Sequence, residues 1–354
     1  MTDAPDKATA EDPLIGATLG GYEIRRLIGR GGYANVYLAM QTRLEREVAL
    51  KVLREDGTGV NPDQVEAFWR EARAAATFNH PCLVHVHDVG ECDGSHFLSM
   101  ELVRGGNLAR LLRTKGPMPW RDVIMVGLDV VEALQCAHEH GVLHHDVKPQ
   151  NILLTRNQKA KLADLGLSTT DGNAGSRAYM SPERVLRRPV DERSDLYSFG
   201  CTLYTMLTGV PPFNYLPSKE MLAAHVNEVP PPLHTHDIDV PDAMQDLVSE
   251  LLAKDPAQRP DSASKTADLL EWVGELATPT SAPVTDARSQ TAPVPPRRTF
   301  CAESNAVADA AMPVTRRRSR RRSRESDVPW STVMAVAILA LAVLGALWAW
   351  RSFS

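Results

Sequence analysis

The chain has 354 residues, 43% hydrophobic and 23% charged, a globular balance that excludes a mostly disordered protein; its one long apolar run excludes a polytopic membrane protein. Its net charge of −5 hides an asymmetry, because residues 277–354 hold 11 Arg, no Lys and 5 acidic residues, which leaves −11 on the first 276. An acidic globular part therefore precedes a basic tail suited to an anionic surface, and five scattered cysteines without a C-x-x-C pair point to a reducing compartment.

Residues 1–19 are polar, lack the basic and apolar regions of a signal peptide, and are expected to be disordered. Residues 20–275 read as one globular unit. Apolar alternation predicts strands at 22–25, 35–39 and 47–52. A helix follows over 62–78, opened by Asn61 and Pro62 and carrying Val65, Phe68, Trp69 and Ala72 at helical spacing. Later segments at 123–138, 190–207, 219–226 and 244–252 read as helices. Strands first and helices later predict an α+β fold of two lobes.

Residues 276–329 are rich in Pro, Ala, Ser and Thr and read as a linker, with seven Arg in the nine residues Arg316–Arg324. Segment 330–350 follows. Ser331–Trp350 is uncharged over 20 residues, enough to span about 30 Å as a helix, and Trp330, Trp348 and Trp350 mark its ends. It is expected to be a transmembrane helix. The Arg run before it would keep the globular part in the cytoplasm, with only the tail 351–354 crossing and no outside sensor domain. The Arg run itself reads as a topology signal or as a contact for anionic lipid; nucleic acid is not expected.

Four motifs carry chemistry. Ile28-Gly-Arg-Gly-Gly-Tyr-Ala-Asn-Val36 lies between two predicted strands, where glycines serve either a plain turn or a backbone cradle for phosphates. Lys51 ends an apolar strand and needs a carboxylate partner to be held; Glu71 on the next helix is the candidate. His144-His-Asp-Val-Lys-Pro-Gln-Asn151 gathers a carboxylate, an ammonium and an amide, and Asp164 follows a short strand. Asn and Asp oxygens are hard ligands of the kind Mg²⁺ takes. Cys82, His85 and His87, and separately His234 and His236, read as solvated histidines rather than metal ligands.

Together, in this order, these motifs resemble the protein kinases over residues 22 to about 272. The glycine loop matches at Gly29 and Gly31, with Ala34 for the third glycine. The metal-binding motif appears as Asp164-Leu165-Gly166 and the A-P-E motif as Ser181-Pro182-Glu183, with Arg259 the expected partner of Glu183. Asp195 and Gly200 match a helix-start motif. The resemblance implies a bilobal fold with a β-rich small lobe and a helical large lobe, and a reaction that uses ATP and Mg²⁺. It implies catalytic roles for Asp146, Lys148, Lys51 and Glu71, and metal binding by Asn151 and Asp164. Nucleotide contacts are implied for Ile28, Gly29, Arg30, Gly31, Gly32, Tyr33, Ala34, Asn35, Val36, Ala49, Lys51 and Leu153. The hinge backbone at Glu101 and Val103 would read the adenine edge behind Met100.

Lys148 and Ser176 follow the Ser/Thr pattern, and Val190–Phe213 resembles the bacterial eukaryotic-like Ser/Thr kinases, many of which join a cytoplasmic kinase to a single span of the cell inner membrane. The expected activity is transfer of the ATP γ-phosphate to Ser/Thr hydroxyls of proteins, with autophosphorylation; a homodimer is open. The alternative is a pseudokinase acting as a membrane-tethered scaffold. Two departures favour that alternative: Ala34, and His145 in place of the Arg that usually precedes the catalytic Asp and pairs with a phosphorylated activation loop. A mostly neutral imidazole replaces that Arg poorly. Activity is therefore expected to survive joint replacement of Ser168, Thr169 and Thr170, and a strict loss in that variant would refute the expectation.

Overall fold

The computed structural model describes residues 12–54, 61–165 and 176–276. All fall in the first of two compact units, Met1–Val284; the second, Thr285–Ser354, lies outside the described residues, and with it the expected span and the Arg run.

The first lobe is an antiparallel sheet. Its strands are β1 (Thr18–Leu19), β2 (Tyr22–Arg30), β3 (Ala34–Gln41), β4 (Arg46–Leu53), β5 (Val86–Cys92) and β6 (Ser95–Met100), in the order β1-β2-β3-β4-β6-β5. Register explains which side chains meet the cleft. Val36 pairs with Lys51, Lys51 with Leu98, and Ala49 with Met100. Successive strand residues point to opposite faces. One face therefore carries Val36, Ala49, Lys51, Leu98 and Met100. The other buries Ile24, Tyr37, Val48, Leu50, Val52 and Phe97 in a separate core.

Helix α1 (Pro62–Ala76) crosses between β4 and β5. Asn61 caps it by accepting the Asp63 N–H at 2.9 Å, and Pro62 occupies its first turn, where a missing N–H costs nothing. Phe68, Glu71, Ala72 and Ala75 recur every three or four residues and form its buried face, so Glu71 enters the lobe beside apolar neighbours.

The second lobe is helical. It contains α2 (Leu108–Lys115), α3 (Trp120–Glu139), the hairpin β7 (Ile152–Leu154) and β8 (Ala160–Leu162), α4 (Pro182–Val185), α5 (Glu192–Thr208), α6 (Ser218–Asn227), α7 (Asp242–Leu251) and α8 (Ala263–Leu276). Helix α5 is buried on every side from Ser194 to Leu207 and forms the axis of the lobe. Its threonine hydroxyls are satisfied within the helix, Thr202 donating to the Ser198 carbonyl at 2.9 Å and Thr205 to that of Cys201 at 2.7 Å. A Cβ on Gly200 would stand 2.8 Å from the Leu251 Cβ, so only glycine lets α5 and α7 approach this closely.

The predicted strands and helices appear at their places. Helix α5 starts at Glu192 rather than 190, because Asp191 caps it through the Arg193 N–H at 2.9 Å. His85 lies just before β5, which begins at Val86, and His87 lies on that strand. Among the described residues no helix is long and apolar enough to cross a membrane.

Candidate functional site

The cleft between the lobes collects most of the residues singled out in the sequence. Its roof is the β2–β3 hairpin, where Gly29 pairs with Val36 and Arg30 with Asn35. The Gly31 N–H donates to the Ala34 carbonyl at 2.9 Å, and a Cβ on Gly31 would lie 2.7 Å from that oxygen, so the turn requires glycine. Tyr33 turns inward, its ring 5.5 Å from Lys51 Nζ, and burial pushes its phenol up. Val36, Ala49, Met100, Val103 and Leu153 share one apolar cluster, whereas Ile28 is 39% exposed at the mouth. The Glu101 N–H is used inside the protein, on the His85 carbonyl at 2.8 Å, and its carboxylate holds Lys161 at 2.9 Å. Arg30, Gly32 and Asn35 sit on the hairpin, where the Asn35 amide donates to the Tyr37 hydroxyl at 3.2 Å.

Lys51 is the hub of the inner cleft. Its ammonium donates to Glu71 Oε1 at 2.8 Å and Oε2 at 3.2 Å, and to Asp164 Oδ1 at 2.8 Å. Burial alone would lower the Lys51 pKa, but the charges of Asp164 and Glu71 hold it well above the usual value. Burial likewise pushes the Asp164 carboxyl up, and the Lys51 ammonium more than cancels this and keeps it below the ordinary range. Burial raises the Glu71 carboxyl against the pull of the same ammonium. Lys51 and Glu71 are buried, whereas the Asp164 side chain is 38% exposed towards the cleft.

The loop after α3 supplies a second cluster. Lys148 Nζ lies 2.6 Å from Asp146 Oδ2 and donates to Ser176 Oγ at 2.7 Å. Asn151, in a short 3-10 turn, donates through Nδ2 to the Asp146 carbonyl at 2.8 Å and to Asp146 Oδ2 at 3.0 Å. The amide nitrogen is thus occupied and its oxygen remains for another ligand. Asn151 Oδ1 and the partly open Asp164 carboxylate form a hard-oxygen donor set of the kind Mg²⁺ takes. Net charge agrees, because Lys51 offers one positive charge against two carboxylates.

The loop is held from behind by Asp195 of α5, a tie the sequence motif alone did not reveal. Its Oδ2 accepts the His144 N–H at 2.8 Å and meets His138 Nε2 at 2.9 Å; Oδ1 accepts the His145 N–H at 2.7 Å. His144 contacts the Ala163 carbonyl at 2.9 Å through Nε2, and its Nδ1 accepts the Asp146 N–H at 3.1 Å. His145 and Asp164 both have positive φ, 64° and 61°. Such backbone costs a side-chain-bearing residue about 1–3 kcal/mol and persists only where its surroundings hold it.

Glu183 is gripped by Arg259 through two bonds of 2.8 and 2.9 Å and by the Ser194 hydroxyl. Cys82 does not join His85 and His87. Its thiol lies 3.4 Å from Glu132 Oε2 and 3.9 Å from Asp129 Oδ1, burial pushes it up to about 12, and Asp129 already takes the Ala160 N–H and Lys159. His236 is occupied by Tyr204 at 2.6 Å. Gly166, Ser168, Thr169 and Thr170 lie outside the described residues.

Residues 22–269 match the protein kinase domain family. The chain belongs to the protein kinase family. Its relatives are bacterial Ser/Thr kinases. The serine/threonine-protein kinase PknB of Mycolicibacterium smegmatis is 37% identical over 338 residues, covering 90% of this chain and 53% of that protein. The serine/threonine-protein kinase pkn3 of Myxococcus xanthus is 36% identical, covering 85% and 59%. The crystal structure of the Mycobacterium tuberculosis PknI kinase domain superposes with a TM-score of 0.61 at 30% identity, over 73% of this chain and 98% of that one. The kinase chain spans about half the length of the curated relatives it matches. The bilobal kinase fold is thus established, and the family as a whole uses ATP and Mg²⁺.

Proposed function

We propose that this kinase is catalytically active, transferring the γ-phosphoryl group of ATP to Ser/Thr hydroxyls of proteins, itself included, from the cytoplasmic face of the cell inner membrane. The observation that supports activity is the pairing of Lys51 with both Glu71 and Asp164, beside an assembled Asp146–Lys148–Asn151 loop. Phosphoryl transfer asks little covalent help of a protein; it needs positioning and charge neutralisation. In this reading the cleft face of the sheet and Leu153 sandwich the adenine, Glu101 and Val103 read its edge, and the glycine hairpin covers the phosphates. Lys51 holds the α- and β-phosphates, and Glu71 keeps Lys51 in place.

Asp146 accepts or orients the proton of the acceptor hydroxyl. Lys148, between Asp146 and Ser176, steadies the transferred group and ties the acceptor site to the activation segment. Asn151 and Asp164 would hold Mg²⁺, which supplies charge neutralisation on the phosphates when bound.

The pseudokinase alternative rests on His145 and Ala34, but neither removes a group that touches nucleotide phosphate or acceptor. The domain reading is a kinase over 20–275 after a short lead 1–19, a linker over 276–329, a single span over 330–350 and a tail over 351–354. Arg316–Arg324 would lie against anionic lipid. Protein substrates follow from the family, and a homodimer fits the reading equally with a monomer.

The test is phosphate transfer from labelled ATP by the full chain in liposomes, beside Asp164→Ala. Label on Ser/Thr in the parent and none in the variant is expected. Absence of label in both would favour the scaffold. Flotation with the vesicles should be lost when 330–350 is deleted; retained flotation would refute the anchor.

A further inference from the structure

The loop that carries Asp146 reaches it through His145, whose left-handed backbone must be held from outside. Its N–H is taken by Asp195. Its carbonyl is taken by a residue no motif singled out: Arg184, whose Nη1 donates to the His145 oxygen. That carbonyl belongs to the peptide unit whose nitrogen is Asp146, and the Asp146 N–H is held by His144 Nδ1 at 3.1 Å. Both polar ends of the peptide plane entering Asp146 are therefore fixed, one by a histidine and one by a guanidinium.

Arg184 comes from a distant place. It sits in α4 next to Glu183, which Arg259 and Ser194 anchor to the lobe core. Its guanidinium is half-buried and lies in the field of Asp195 and then Asp146. His145 offers no such charge, because burial pushes its imidazole down and leaves it neutral near pH 7. The positive charge behind the catalytic aspartate is thus carried at position 184.

We propose that Arg184 is a positioning residue for Asp146: from the activation-segment anchor it supplies the cation that position 145 lacks and locks the 145–146 peptide. Folding of the anchor then sets the catalytic loop directly. The inference rests on Asp146 being the residue that meets the acceptor hydroxyl, and its test separates the two ideas, since a parent protein without transfer would sink that reading before Arg184 is tried.

The experiment compares the full chain with Arg184→Gln and Arg184→Lys, using ATP and a mixed Ser/Thr peptide library as acceptor. Arg184→Gln is expected to lower kcat about 10- to 100-fold, the cost of misplacing a reacting group by a fraction of an ångström to an ångström, with KM for ATP nearly unchanged. Arg184→Lys keeps the charge and a donor and should recover most of that loss. Hydrogen exchange by mass spectrometry supplies a readout apart from activity: residues 143–152 should exchange much faster in Arg184→Gln and only slightly faster in Arg184→Lys, while α5 does not change. Should Arg184→Gln fail to fold, the exchange pattern of Arg184→Lys decides. A parent-like kcat in Arg184→Gln, an equal loss of ATP affinity, or unchanged exchange over 143–152 would overturn the proposal.

Discussion

Lys51 in the small lobe and Arg259 in the large lobe are both buried cations held by carboxylates, yet their surroundings are completed to different degrees. The five N–H donors of Arg259 are all used: two bonds to Glu183, and others to the carbonyls of Ala253, Arg193 and Lys254. One guanidinium faces one carboxylate, which a serine hydroxyl also supports. Nothing is left for a ligand to finish. The ammonium of Lys51, by contrast, faces two carboxylates, one of which opens towards the cleft. That cluster is a positive charge short, as a site that receives a metal and a polyphosphate should be. In the proposed function, the same chemistry stabilises the fold in one cluster and receives substrate in the other.

Breaking each cluster should separate those roles. Lys51→Met should lower phosphate transfer about 10²- to 10³-fold at saturating ATP, the scale for losing one preorganised electrostatic contact, with a smaller loss of stability than the next variant shows. Initial rates and thermal melts on the same sample check both halves. Arg259→Met strands the Glu183 carboxylate among buried neighbours and should cost about 3–5 kcal/mol in denaturant unfolding. A well-folded Arg259→Met that merely loses activity would invert the comparison.

A smaller effect should appear against pH. His225 on α6 is fully buried against Tyr197 and Phe213, and burial first, then the Lys254 ammonium, push it down to about 3. The unfolded chain takes up a proton near its ordinary value of 6.5 that the folded chain refuses. Its contribution to stability is therefore complete above about pH 6.5 and is lost progressively as pH falls towards 3. His225→Asn keeps an acceptor for the Tyr197 hydroxyl, now 2.9 Å from Nδ1, and should flatten the fall of Tm below pH 6.5. An equally steep fall in the variant would place the acid sensitivity elsewhere.

Much of this was legible in the sequence because it is local. The apolar strand that Lys51 interrupts, following a glycine loop, marked the lysine, and the Asn61-Pro62 start and the spacing of Phe68 and Ala72 placed its candidate partner Glu71 on a helix. The carboxylate, ammonium and amide of 146–151 lie within one loop and carry their own signal. Helix α2 was missed although Asn107 caps it and Leu108, Leu111 and Leu112 recur at helical spacing, because eight residues give that period barely two turns to show; α8 was missed because it follows a proline- and serine-rich turn. The ties to the catalytic loop were illegible for another reason. Arg184 meets His145 and Asp195 meets His144 across 39 and 51 positions, and only the packing of α4 and α5 brings them together. Ser176 to Lys148, across 28, is of the same kind. Motif spacing names the groups that react; tertiary structure names those that hold them.

The central claim is that Asp146 does chemistry in a cleft that also binds nucleotide, and Asp146→Asn tests it most directly. The substitution keeps the shape and an oxygen for Lys148 but removes the proton acceptor. Binding of an unreactive ATP analogue with Mg²⁺ and single-turnover transfer are measured on the same full-length protein. The account predicts unchanged nucleotide affinity and transfer lowered about 10²- to 10⁴-fold, the range for losing a general base. Transfer at the parent rate, or at an equally negligible rate in both proteins, would contradict it.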